Sequence, residues 1–446
     1  MDTAQARRWC RQQKYDQAAA MYARQIAAMD AWGPWDYYYY AYSLSKLREY
    51  AEGREISRRC IIAFPGFTQI RDVYGWCLYH LYVRPFIPGQ SDEDDFRRAV
   101  EAIVKYTEQT AQSPYERAVW KMIDVLRRQK KATAEEIDSW LTLLNPNRLS
   151  LQPQEYVKDG EWLSGASYRE RWYALKSGVL VKKGEYDACI AVCEEGLRIF
   201  TDFHYDNDIW FKYRIALCRL RLGDVDGAER EFSALLQYKQ HWIIYRGLFY
   251  AGQAQKSLRK MKQYGAAALL LPGDMADKVQ FLAEFADSLA GQEDLRTERA
   301  RHYALALRIR QEKGWFVPEA LRRQAATYEG QIPRKAELLR SLQAFWIRCR
   351  HDGEEEKQGF ISAVLPGGRA GFIKEYGGPS YYFKRDALLG LDAEAGTYVT
   401  FFVEVGQDRF GGKASRPVLV YNFGIPHGKV KAQHDFIRQG NRKAFG

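Results

Sequence analysis

The chain has 446 residues, of which 46% are hydrophobic, 28% charged and 14% aromatic, with a formal net charge of +11. That length suits two or three domains, and that composition excludes an intrinsically disordered chain. No apolar run approaches the ~18 residues of a membrane span, no secretory h-region follows Met1, and seven scattered cysteines include no Cys-x-x-Cys pair, so a membrane protein, a disulfide framework and a zinc site are not expected and a reducing cytoplasm is.

The charge is unevenly placed. Residues 296–350 carry 13 Lys/Arg against 5 Asp/Glu, residues 351–412 carry 6 against 10, and residues 413–446 carry 7 against 1. Two basic blocks therefore flank an acidic one, a distribution that suits a polyanionic partner as well as an ordinary solvated surface.

Residues 1–144 read as helices. Lys14–Tyr22 opens an amphipathic stretch, Trp35–Leu47 follows, and Tyr50–Phe64 ends at Pro65-Gly66. Tyr37, Tyr40, Ala41 and Leu44 share one helical face. Tyr50, Gly53, Ser57 and Cys60 line the facing one, with small residues where two helices must approach closely. Asn145-Pro146 to Gln152-Pro153 interrupts the pattern, and 145–165 is expected to be a linker or insertion. Helices resume over 166–350. Here Gly178, Lys183-Gly184-Glu185-Tyr186, Cys189 and Cys193, then Leu222-Gly223-Asp224-Val225, Ala228 and Phe232, repeat the same small-residue and turn positions. Cys189 and Cys193 are read as two packing residues on one helix face.

These helix–turn–helix units resemble the tetratricopeptide repeat. The resemblance implies a solenoid lined by the first helix of each pair. On that reading Trp35, Tyr38, Tyr42 and Lys46, and later Trp210, Tyr213 and Arg221, would present a partner-binding face. Aromatics beside cations suit a peptide or stacked bases, and the same stripes also suit simple packing between repeats.

Catalytic motifs are absent from the sequence: it contains no Walker loop, no His-Glu-x-x-His and no Gly-x-Ser-x-Gly. His204-Tyr205-Asp206-Asn207-Asp208 is read as a loop in which Asp206 or Asp208 caps the next helix. No cofactor and no metal are expected.

From Lys357 the period changes to two. Strands are expected at 358–365, 370–375, 379–384, 397–405 and 413–420, with Pro366-Gly367-Gly368, Gly377-Gly378-Pro379 and Gly411-Gly412 at the reversals. Gly371-Phe372-Ile373, Tyr381-Tyr382-Phe383-Lys384 with Asp386-Ala387-Leu388, Val399-x-Phe401-x-Val403 and Lys413-Ala414 resemble a cold-shock domain, an oligonucleotide-binding-fold barrel. The resemblance covers about 60 residues. It implies base stacking on Phe372 and Tyr382, phosphate contacts from Lys374, Arg385 and Arg416, Lys384 in place of the family's usual histidine, and Arg369 as a further stacking group. Ala363 and Ala370 stand where that family has aromatics, and Tyr376 and Tyr381 would contribute only if they face outward. His351–Glu356 is taken as the linker before this domain, and 421–446 as a basic arm.

The expected architecture is therefore multidomain, α then β: helical repeats over 1–144 and 166–350, a small five-stranded antiparallel β-barrel over 357–420, and a basic tail over 421–446. The expected function is a non-enzymatic, cytoplasmic adaptor. Its solenoid would bind a protein or peptide, and its barrel single-stranded or structured RNA, with RNA favoured over DNA. The alternatives are a protein-binding scaffold whose barrel binds nothing, and an enzyme in the helical region.

Overall fold

The computed structural model describes residues 3–129, 132–384, 394–407 and 413–422. Helices dominate the first 350 residues: α1 Thr3–Arg11, α2 Tyr15–Arg24, α3 Pro34–Lys46, α4 Tyr50–Ala63, α5 Ile70–Leu78, α6 Glu93–Tyr106, α7 Tyr115–Arg128, α8 Ala134–Thr142, α9 Tyr168–Lys183, α10 Tyr186–Ile199, α11 Asn207–Arg221, α12 Val225–Leu235, α13 Trp242–Ala254, α14 Leu258–Leu270, α15 Val279–Ser288, α16 Arg296–Glu312, α17 Glu319–Ala325 and α18 Lys335–Arg350. The strands are β1 Gln154–Lys158, β2 Glu161–Gly165, β3 Lys357–Val364, β4 Ala370–Glu375, β5 Ser380–Lys384, β6 Tyr398–Gln407 and β7 Lys413–Asn422. The chain forms two compact units, Met1–Cys218 and Arg219–Gly446.

In the first unit each helix from α1 to α10 packs on the next, and α3 also touches α1 and α5. Packing between sequence neighbours is how a helical-repeat solenoid builds its core. Pro34 starts α3 at a position that needs no amide donor. The Asp36 carboxylate accepts the Gly33 N–H at 3.1 Å and pairs with Arg7 at 2.7 Å, which ties α1 to the head of α3. Ala41, Ser57 and Cys60 are fully buried between α3 and α4, and a Cβ at Gly53 would lie 3.1 Å from the Cys77 Sγ. Gly184, at φ +77°, closes α9 in the left-handed region that favours glycine.

Residues 145–165 do not separate two halves. One apolar cluster runs from Leu78 through Leu149 to Cys218. Trp172 donates to the Leu141 carbonyl at 3.0 Å, and Lys183 pairs with Asp138 at 2.6 Å, across that stretch. The segment itself contains the hairpin β1–β2, in register from Gln154↔Gly165 to Lys158↔Glu161. Asp159 and Gly160 form its turn with φ of +53° and +85°. Asp-Gly is a favoured pair for a two-residue hairpin turn.

The second unit is less regular. After α12–α17 the chain returns, so that α18 packs against both α14 and α16. His302 is fully buried there. Its Nδ1 donates to the Glu298 carbonyl at 2.6 Å and its Nε2 accepts from the Trp346 indole at 2.7 Å.

β3 to β7 form an antiparallel sheet in the order β5-β4-β3-β6-β7. A closed barrel was expected. Among the described residues no hydrogen-bonded ladder joins β5 to β7, so the sheet is a curled, open one. A register shift between Ile361 and Ala363 marks a bulge in β3, and bulges increase local bend and twist. Ile361, Ile373, Tyr381, Phe383, Val399 and Phe401 make its inner face. Gly371 has to be glycine: a Cβ would sit 2.4 Å from the Ala363 carbonyl oxygen and 2.7 Å from the Phe383 ring.

His351–Glu356, taken as the linker before the strand domain, is packed at its start. His351 is 4% exposed and lies flat on Phe402, with centroids 4.6 Å apart. Phe402 in turn packs on Ile347 of α18. Glu404 pairs with Arg350 at 2.9 Å and with His351 at 3.4 Å. The Asp352 carbonyl accepts from Gln263 of α14 at 3.4 Å. Burial lowers the pKa of His351, but hydrogen bonds to Glu404 and Glu354 outweigh that and leave it raised.

Candidate binding faces

In the first unit α3 carries an aromatic face. Its first turn places Trp35 beside Phe67, at 5.0 Å between centroids, with Tyr38 at 5.6 Å and Tyr39 at 5.9 Å. One turn on, Tyr38 stacks on Tyr42 at 5.7 Å, and Tyr15 of α2 meets Tyr42 at 6.0 Å. Trp35 is 43% exposed, and Tyr38, Tyr39 and Tyr42 are half-buried. The cations Arg11 and Lys46 lie over Tyr39 and Tyr42 at 5.7 and 4.9 Å. The opposite side of the helix, Tyr37, Tyr40, Ala41 and Leu44, is core. Burial raises the pKa of Tyr38, so its hydroxyl stays protonated and able to donate at neutral pH. A face that is rigid, aromatic and bordered by cations has the composition of an interface anchor.

Trp35, Tyr38 and Tyr42 were anticipated and are brought together. Tyr39 and Phe67 were not. Phe67 follows the break at Pro65-Gly66, and only the fold carries it back to α3. The second predicted pair does not extend such a face. Trp210 and Tyr213 are neighbours at 6.1 Å, but Tyr213 is only 6% exposed. The reason lies in the spacing: Ile209, Tyr213, Ala216 and Leu220 fall on one stripe of α11, and all four are buried. Arg221 lies over Tyr250, at 5.6 Å.

In the second unit β4 and β5 present a different surface. Phe372 and Tyr382 sit directly opposite each other in the ladder, with ring centroids 5.8 Å apart. They are 36% and 45% exposed. Lys374 and Lys384, two residues along from each, share that face and are exposed. Arg369 is exposed in the β3–β4 turn. Tyr381 faces inward, and its hydroxyl donates to Glu375 at 2.8 Å. Tyr376 stacks on Tyr398 at 6.1 Å. Neither adds a platform to the face. Ala363, opposite Phe372 on β3, leaves that side of the pair without an aromatic neighbour. Arg416 stands on β7 opposite Glu404. Arg385 and the arm from residue 423 onward lie outside the described residues.

A third grouping was not anticipated. Glu170, 1% exposed at the start of α9, accepts from the backbone and ring of His204 and from the Asn207 side chain, each at 2.8–2.9 Å. It ties down the loop in which Asp206 or Asp208 had been expected to cap the next helix. The other ring nitrogen of His204 meets Ser164. Among the described residues no cluster of His, Cys, Asp and Glu has the makings of a metal site, and no helix is long and apolar enough to cross a membrane.

No family model matches the chain, and no curated protein matches it. Several solved structures are similar. Yeast Tom70 aligns over 78% of this chain and 80% of its own, at 10% identity and a TM-score of 0.27. The C-terminal part of a TPR repeat-containing protein from Cytophaga hutchinsonii aligns over 76% and 99%, at 13% identity and a TM-score of 0.22. The P58(IPK) TPR domain aligns over 79% and 87%, at 14% identity and a TM-score of 0.21.

Proposed function

We propose that this chain is a protein-binding adaptor whose α3 face captures an apolar segment of a partner, with an acidic residue of that segment reaching Arg11 or Lys46. The observation that carries the reading is the exposed Trp35, held on three sides by Tyr38, Tyr39 and Phe67. Holding the ring in place removes much of the ordering cost that binding otherwise incurs. Seven cysteines, all free and buried, support a reducing compartment, which we take to be the cytoplasm. The test is quantitative affinity capture with the full chain. A partner enriched by the wild type should be lost with Trp35→Ala/Tyr38→Ala, since truncating an interface anchor costs about 2 kcal/mol or more. The same partner should be retained by Phe372→Ala/Tyr382→Ala. An unchanged partner set in the α3 variant would refute the reading.

A second reading is favoured by the cross-strand pair Phe372 and Tyr382 between two lysines: single-stranded RNA laid across β4 and β5. The pair lies on β4 and β5, the second and third strands of the five-stranded sheet, and oligonucleotide-binding folds, which are partly open five-stranded barrels, bind their ligands on the face of those two strands. With stacking worth about 1–3 kcal/mol per base, Phe372→Ala/Tyr382→Ala should weaken binding of a labelled oligouridylate at least about tenfold while leaving the fold intact. Equal affinity in the double variant would remove this reading and leave the adaptor as a purely protein-binding scaffold.

A further inference from the structure

We propose that Ser164, His204 and Glu170 form a hydrolytic triad acting on carboxylic esters, at the foot of the β1–β2 hairpin. The order of contacts is the one nucleophilic catalysis needs. The Ser164 Oγ lies 3.1 Å from the His204 Nε2, and the His204 Nδ1 lies 2.9 Å from the Glu170 Oε2. The Glu170 side chain is 2% exposed, and its second oxygen accepts from the His204 N–H at 2.9 Å and the Asn207 Nδ2 at 2.8 Å. A carboxylate held this way keeps the proton of the ring on Nδ1. The lone pair of Nε2 is then turned toward the serine hydroxyl, the arrangement of nucleophile, base and orienting acid. Ser164 itself is exposed, so a substrate can reach it.

The hairpin and the His204 loop also border a cavity of about 360 Å³, lined by Gly165 and Tyr205, the chain neighbours of Ser164 and His204, and by Tyr156 and Arg171; Ser164 stands on the opposite face of β2 and meets substrate from solvent. That volume is in the range of small-ligand sites. The Tyr156 and Tyr205 hydroxyls come within 3.5 Å of each other. A side chain at Gly165 would collide with the Tyr205 hydroxyl, 2.8 Å from the added Cβ. Tyr205 and Asp206 both hold φ near +60°, at +56° and +58°. Two successive non-glycine residues in that region store strain in the loop that positions His204, as catalytic loops often do. Arg127 and Arg171 both line the cavity and share one carboxylate, Asp124.

In the first step the Ser164 Oγ bonds to the acyl carbon and its proton passes to the His204 Nε2. That proton goes to the departing alkoxide as the ester C–O bond breaks, which releases an alcohol. Water, deprotonated by the same nitrogen, then displaces the serine oxygen and releases the carboxylic acid, and the proton returns to Ser164.

The experiment uses the full chain with p-nitrophenyl acetate and a fluorophosphonate probe. The wild type should hydrolyse the ester above the buffer rate and should be labelled at Ser164 as read by peptide mass spectrometry. Ser164→Ala, at an exposed position where the fold is not at risk, should fall to the buffer rate and lose the label. His204→Gln should keep the hydroxyl but lose at least about a hundredfold in rate. Wild-type protein that is not labelled at Ser164, or Ser164→Ala with wild-type hydrolysis, would overturn the proposal and leave Glu170 as a clamp on the loop. Either result leaves the α3 adaptor reading untouched.

Discussion

His302 offers a direct test of how the second unit is held together. Both ring nitrogens are used, one as donor to the Glu298 carbonyl and one as acceptor from the Trp346 indole. Only the neutral ring with its proton on Nδ1 satisfies both. Protonation would set a second N–H against the indole N–H in a pocket walled by Phe285 and Phe345. Burial therefore pushes its pKa down to about 4, with the Glu298 carbonyl opposing part of that. A folded value below the unfolded one contributes stability that is complete above pH 6.5 and lost as pH falls toward 4. The fall from 6.5 to about 4, at about 1.4 kcal/mol for each pH unit, is about 3 kcal/mol. That is a large share of the roughly 5–15 kcal/mol that holds a typical domain. The perturbation is His302→Leu, measured by urea unfolding from pH 7.5 to 4, with hydrogen exchange of α16 and α18 as the local readout. At pH 7.5 the variant should be less stable, because the Trp346 N–H loses its acceptor at a cost of about 1–3 kcal/mol. Its pH dependence should be shallower than that of the wild type, and the two curves should converge near pH 4. Parallel curves, or a His302 titration near 6.5 by NMR, would refute the reasoning.

His351 titrates in the opposite sense. Its folded pKa is raised, so its ion pairs with Glu404 and Glu354 stabilise the sheet on α18 fully below about pH 6.5 and weaken as pH rises through the folded value; exchange protection of β6 should be higher at pH 5.5 than at pH 8.5, and a pH-independent β6 would contradict this. Gly371→Ala should destabilise the second unit by about 1–3 kcal/mol or more, because the added carbon meets both the Ala363 carbonyl and the Phe383 ring; a neutral result in thermal unfolding would mean that β4 relaxes freely. If RNA lies across β4 and β5, Lys374→Gln/Lys384→Gln should reduce the slope of log K against log salt by about 1.4, and an unchanged slope would take those lysines out of the contact.

The parts of the fold that repeat were readable from local spacing. Gly53, Ser57 and Cys60 sit at helical intervals facing Ala41, and the change to a period of two from Lys357 onward signalled strands. Position along a helix was less informative where both sides are aromatic. Trp210 and Tyr213 looked equivalent to Trp35 and Tyr38, yet Tyr213 belongs to the buried stripe of α11. The β1–β2 hairpin was signalled only by Asp159-Gly160, within a stretch whose strands are too exposed to alternate clearly. The grouping of Ser164, Glu170 and His204 had no sequence signal, because its members come from a strand, a helix start and a loop that meet only in three dimensions. The aromatic collar around Trp35 was half visible: Tyr38 lies on the same helix, while Phe67 arrives from beyond a proline break.

The seating of β6 on the end of α18 determines where the chain can be divided. A cut after Arg350 would appear to fall between a helical part and a strand part. It would in fact leave Ile347 bare on one fragment and Phe402 bare on the other, and would part Arg350 and His351 from Glu404. The strands therefore do not form a portable cassette that could be moved between unrelated proteins. Any transferable piece has to keep the sheet with α18 and with the helices α18 packs on, α14 and α16, and fragments cut at the acidic run should associate through their exposed apolar ends.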